Sequence, residues 1–194
     1  MTEPQTGDAG QPQQPPPARH GWSKVLLVVT GLLGLAGLSY LGVSEALRAR
    51  LAADGTAAPA MKLQKYDNGT MSLADFQGKV VMLDFWATWC APCQAEMPSL
   101  LKLAKEYEDK GLVFVAASRD EMPDAPLFVQ EFVQSRMPEL APYVVFAPDE
   151  LAAIFQVTAL PTLYLLDRKG QVVDSQRGMM SEAALRQRIE RALK

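Results

Sequence analysis

Cysteine and histidine are scarce in this chain: the two cysteines are Cys90 and Cys93, and the single histidine, His20, lies far upstream. A structural zinc site takes four ligands, drawn mostly from thiolates and imidazoles, so this pair alone does not build one. Covalent haem attachment needs a histidine directly after the second cysteine of a Cys-x-x-Cys pair. Gln94 stands there, which excludes it. Long basic runs are missing too, and with a formal net charge of −3 nothing marks a nucleic-acid partner.

Charge is absent altogether from Val25 through Ser44, a run dominated by Leu, Val and Gly. About twenty residues in helix reach roughly 30 Å, the thickness of a bilayer's hydrocarbon core. The apolar region of a cleavable signal peptide is shorter, about 7 to 15 residues, and no cysteine follows in a lipid-attachment pattern. The run therefore predicts a retained single-pass transmembrane anchor over residues 25–44, in contact with the lipid bilayer. Gly42-Val43-Ser44 is a small-x-small sequence and leaves cleavage as the alternative. Arg19 and Lys24 before the run are matched by Arg48 and Arg50 after it, so charge leaves the orientation open. The short N-terminal tail and the disulfide chemistry argued below favour tail inside and domain outside.

Residues 1–24 are rich in Gln, Pro and Gly and cannot bury a core, so they are expected to be a disordered tail. The Ala-rich stretch 45–60, ending at Pro59-Ala60, reads as a helical extension that becomes a tether. Residues 61–194 suffice for one domain of ordinary size. Within it, Met61 to Tyr66 and Thr70 to Leu73 flank Asp67-Asn68-Gly69, a hairpin signal. Val80 to Trp86 is apolar throughout, as in a central strand covered on both faces. From Cys93 to Tyr107, Met97, Leu100, Leu101 and Ala104 recur at helical spacing.

The turn Cys90-Ala91-Pro92-Cys93 thus joins a strand to the start of a helix. Free N–H groups and the positive end of the helix dipole stabilise a thiolate at such a place and lower its pKa. Cys90 is the predicted nucleophile. Two intervening residues let the sulfurs meet across one turn, so the pair can cycle between dithiol and disulfide, and Pro92 sits where a helix tolerates a missing donor. A loop this short makes the bond a poor structural brace.

The run Leu83-Asp84-Phe85-Trp86-Ala87-Thr88-Trp89-Cys90-Ala91-Pro92-Cys93, continued by Glu96-Met97-Pro98, resembles the thioredoxin superfamily and most closely its membrane-tethered bacterial branch of TlpA, ResA and CcmG/DsbE. The resemblance covers about Met61 to Lys194. It implies an α/β thioredoxin-like fold with an N-terminal hairpin and a central αβ insertion, here a helix at about Ala125 to Ser135 and a strand at about Tyr143 to Phe146. A short helix at Asp149 to Phe155, strands at Leu163 to Leu166 and Gln171 to Ser175, and a last helix from Ser181 to Leu193 complete the expected order, with Pro98 kinking the first long helix.

For the site, the resemblance gives Asp84 the place of the buried acid of thioredoxins and Glu96 that of the tuning glutamate of ResA-like proteins. It makes Pro161 a cis proline facing the dithiol, and Leu160 the residue whose backbone pairs with substrate. Trp89, beside Cys90, is expected to form a shallow apolar docking surface with Ala91 and Pro92, while Trp86 belongs to the core. Many relatives carry Asn where Asp84 stands, so two acids beside one dithiol is a departure. The implied activity is reduction of disulfides in extracytoplasmic proteins such as apocytochrome c, with no cofactor and no metal, recharged by a membrane dithiol donor of the DsbD/CcdA type. The implied place is the bacterial inner membrane, with the domain on the periplasmic side. A peroxidase of related fold would need Thr before a lone peroxidatic cysteine, and a metal-handling assembly protein a longer cysteine spacing and a histidine in the domain. Both remain the alternatives.

Overall fold

The computed structural model describes residues 28–34 and 54–194. Residues 28–34 are helical with exposed side chains, and no helix among the described residues is long and apolar enough to cross a membrane. The rest of the expected anchor, the tail 1–24 and the tether up to residue 53 lie outside the described residues.

The domain is built on one seven-stranded sheet. Its strands are β1 (Leu63–Lys65), β2 (Thr70–Met71), β3 (Val80–Trp86), β4 (Leu112–Ser118), β5 (Val144–Phe146), β6 (Thr162–Leu166) and β7 (Val172–Arg177), in the order β2-β1-β5-β4-β3-β6-β7. β3 is central: it runs parallel to β4 and antiparallel to β6. The helices are α1 (Ala91–Tyr107), α2 (Ala125–Arg136), α3 (Asp149–Ile154) and α4 (Glu182–Ala192).

Alternation along β3 explains why all seven of its residues are buried. Val80, Met82 and Trp86 enter one core with Leu100 and Leu103 of α1, Phe132 of α2 and Ile189 of α4. Val81, Leu83 and Phe85 enter the other with Leu73, Leu151 and Phe155. Successive side chains of a strand point to opposite faces, so Asp84 falls on the face covered by α1. The insertion, α2 and β5, extends the sheet beside β4 and places Phe132 against Trp86, with ring centroids 5.4 Å apart.

The expected hairpin is present, with Leu63 opposite Met71 and Asn68 at a left-handed φ of 64° in the turn. Several boundaries differ from the sequence reading, most by one or two residues, and two of the differences have a plain physical reason. α1 begins at Ala91 rather than Cys93, because Pro92 occupies a first-turn position whose N–H a helix leaves unpaired anyway. The tether was expected to reach residue 60, yet 54–58 dock on β7. Gly55 N–H donates to Val172 C=O at 2.8 Å, Ala58 N–H to Gly170 C=O at 2.8 Å, and Val172 N–H to Thr56 C=O at 2.9 Å. β7 is an edge strand whose outward groups need partners, and the upstream segment supplies them.

Candidate active site

Cys90 and Cys93 form a disulfide in this structure. Cys90 is the N-cap of α1, and the Cys93 N–H points at its Sγ from 3.3 Å. An amide donor and a helix N-terminus aimed at one sulfur both favour its anionic form once the bond is reduced. Exposure separates the pair slightly, at 4% for Cys90 and 1% for Cys93.

The loop that presents Cys90 is clamped from both sides. Asp120, at the end of β4, accepts from the Thr88 N–H at 3.0 Å, from the Thr88 hydroxyl and from the Ser118 hydroxyl at 2.8 Å. Gln94 Nε2 donates to the Thr88 carbonyl at 2.6 Å. Sequence reasoning missed Asp120, because a contact across 32 residues leaves no local pattern. Asp120→Ala is expected to strand three donors, two of them part-buried and one buried, and to cost about 2 kcal/mol, lowering Tm by about 4 to 8 °C. Thermal melts of the two proteins check this, and coincident melts would refute the clamp.

Asp84 is 1% exposed, and neither carboxyl oxygen has a hydrogen-bond partner among the described residues. Burial first, and the charge of Glu96 second, push its carboxyl well above the ordinary carboxylate range. Glu96 is buried as well, at 4%. Its Oε1 accepts from the Met180 N–H at 2.9 Å, so burial raises its pKa while the amide opposes that rise.

Leu160–Pro161 is a cis peptide bond, and the Pro161 carbonyl accepts from the Gly178 N–H at 2.8 Å. Because Thr162 lies opposite Phe85 in the sheet, Pro161 sits at the same end of the sheet as the loop carrying the dithiol. Leu160 and the exposed Trp89, 69% accessible, line one cavity of about 710 Å³ together with Arg119, Met122 and Thr158. Trp86 is fully buried. Ala91 and Pro92 are exposed on the first turn of α1 but do not line that cavity. A second cis peptide, Met122–Pro123, borders it and was not foreseen. Among the described residues no group of His, Cys, Asp and Glu side chains is placed to hold a metal ion.

The sequence family described as Redoxin matches residues 53–193. The chain is 35% identical over 137 residues to the thioredoxin-like protein YneN of Bacillus subtilis, a match covering 71% of this chain and 79% of that protein. It is 32% identical over 167 residues to the thiol-disulfide oxidoreductase ResA of Geobacillus thermodenitrificans, covering 86% of this chain and 94% of ResA. Among solved structures, one described as a thiol:disulfide interchange protein DsbE from Chlorobium tepidum superposes with a TM-score of 0.63 at 33% identity, covering 73% of this chain and 99% of that one.

Proposed function

We propose a reductive role for this chain, which belongs to the Redoxin family, in the TlpA/ResA/CcmG-like part of the thioredoxin superfamily, and is a protein-disulfide oxidoreductase. The observation that carries the reading is Cys90 capping α1, with the Cys93 amide on its sulfur and a buried carboxyl, Glu96, one turn further along the same helix.

The Cys90 thiolate attacks one sulfur of a partner disulfide. That bond breaks, a Cys90–partner disulfide forms, and the other partner sulfur leaves as a thiolate that takes up a proton. Cys93 then gives its proton to a carboxylate and attacks Cys90 Sγ. The Cys90–Cys93 bond forms, the second partner sulfur leaves, and two electrons have passed to the partner. A carboxyl can accept that proton only when ionised. Glu96 has an amide donor that favours its anion, whereas Asp84 has none and is raised further by the charge of Glu96. Glu96, whose anion has that amide donor, is accordingly the acceptor.

Trp89, Leu160 and the cavity between them receive the extended partner chain, while Ala91 and Pro92, exposed on the first turn of α1, offer a contact outside that cavity. The partner class is extracytoplasmic protein disulfides, apocytochrome c among them, and a membrane dithiol donor of the DsbD/CcdA type restores the reduced state. The uncharged run 25–44 supports a single-pass anchor in a bacterial inner membrane with the domain on the periplasmic side.

The test uses the full-length protein reduced in detergent. It should reduce insulin and an oxidised peptide carrying the Cys-x-x-Cys-His segment of apocytochrome c. Preferential oxidation of the reduced peptide would reverse the direction. Protease added to intact spheroplasts should remove the domain from the membrane fraction. A soluble product beginning near Glu45 would refute the retained anchor, and a protected domain would reverse the orientation.

A further inference from the structure

The loop between β7 and α4 makes two main-chain contacts that reach different parts of the site. The Gly178 N–H donates to the Pro161 carbonyl at 2.8 Å, and two residues later the Met180 N–H donates to Glu96 Oε1 at 2.9 Å. We propose that residues 178–180 are a positioning strap: the Met180 amide holds the Glu96 carboxylate where it can take the Cys93 proton, and the Gly178 amide ties that hold to the cis-proline loop. This rests on the reading of Glu96 as the proton acceptor.

A buried carboxylate keeps its charge only if donors replace the water it has lost. For Glu96 the Met180 amide is the hydrogen-bond donor found among the described residues. A main-chain donor suits this task because its position is fixed by the fold. The Met180 side chain packs against the core that α1 shares with α4, which anchors the amide, while the Met179 side chain is exposed. Gly178 lies at a φ of +81°, a left-handed conformation that turns the chain between the two contacts, and a β-carbon there would meet nothing within 4 Å. Glycine is thus used for backbone conformation rather than for space.

The groups around Glu96 leave this amide in control of its charge. Asp84 approaches from β3 and the Cys90–Cys93 pair from the first turn of α1. Gly178, Met179, Met180 and Ser181 bring no charged side chain. Arg177 precedes the loop, and Glu182 after it is engaged by Lys102 and Arg186.

The strap is tested on the full-length reduced protein in detergent micelles, labelled with ¹⁵N-methionine. The Met180 amide resonance is followed between about pH 4 and 9, alongside the rate at which Cys93 resolves a mixed disulfide on Cys90. The amide is expected to titrate with the Glu96 carboxyl and to lose that inflection in Glu96→Gln. Met180→Pro deletes the donor, so Glu96 should hold its proton to higher pH. Loss of a hydrogen bond to a charged group then moves the rising limb of the resolution rate up by about one pH unit, a roughly tenfold slowing on that limb. Met180→Leu keeps the amide and should keep the wild-type limb.

A pH-independent Met180 amide, or a wild-type limb in Met180→Pro, would overturn the strap. If Met180→Pro does not fold, the amide titration decides. If Glu96→Gln keeps the wild-type rate profile, the acceptor reading fails, while the amide resonance still reports whether the bond to Glu96 exists.

Discussion

Cys93→Ser is expected to stop turnover at the mixed disulfide. Cys90 keeps its place at the cap of α1 and can still attack a partner, but the sulfur that should release the partner is gone. The covalent adduct accumulates, and multiple turnover falls by about a thousandfold or more. Cys90→Ser loses turnover to the same extent for a different reason. Cys93 lies inside the first turn rather than at the cap and lacks the amide donor and helix end that favour a thiolate at Cys90, so it gives no adduct. In the reduced wild-type protein an alkylating reagent at mildly acid pH should label Cys90 first, since a thiolate favoured by the helix end survives at lower pH than an ordinary thiol. Mass spectrometry of the adducts and of the labelled peptides reads both results. Accumulation of the adduct in Cys90→Ser, or faster labelling of Cys93, would exchange the two roles.

The parts of the fold that were legible in the sequence are those specified by local pattern. Seven consecutive mostly apolar residues announced β3, and the spacing of Met97, Leu100, Leu101 and Ala104 announced α1. Asp67-Asn68-Gly69 announced the hairpin because its turn needs a residue such as Asn68 at positive φ. The insertion came from family resemblance, and α2 at Ala125–Arg136 agrees with the expected helix to one residue.

What stayed hidden depends on which distant surfaces meet. The clamp of Asp120 on Thr88 joins residues 32 apart, and the bond from Met180 to Glu96 joins residues 84 apart. Neither leaves a trace in periodicity. Residues 54–58 looked like tether because nothing in their composition says that an edge strand will capture them. For the site the same division holds. The cysteine pair stands out from its spacing, whereas the hydrogen bond that Glu96 accepts follows only from the arrival of the β7–α4 loop.

Asp84→Asn is expected to change the pH dependence of stability more than any other single substitution at the site. The carboxyl of Asp84 is fully enclosed, has no hydrogen-bond donor among the described residues and faces the charge of Glu96, so its folded pKa stands well above the ordinary 3.8 of an unfolded aspartate. The folded protein therefore binds a proton that the unfolded chain has released. Below the ordinary value Asp84 is neutral in both states and causes no loss. As pH rises above 3.8, the stability conferred by the raised pKa falls by about 1.4 kcal/mol per pH unit, until the folded pKa is passed. An asparagine has nearly the same shape and no proton to lose. The stability curves of wild type and Asp84→Asn should run together near pH 4 and diverge toward neutral pH, with the variant the more stable. Urea unfolding of both proteins at several pH values between about 4 and 8 measures the gap. Parallel curves over that range would mean that Asp84 is solvated or paired in the folded protein. The same variant separates the two acids in catalysis: with Glu96 as acceptor, Asp84→Asn should keep the rising limb of the resolution rate, while Glu96→Gln removes it. Loss of the limb in Asp84→Asn alone would assign the proton to the buried aspartate instead.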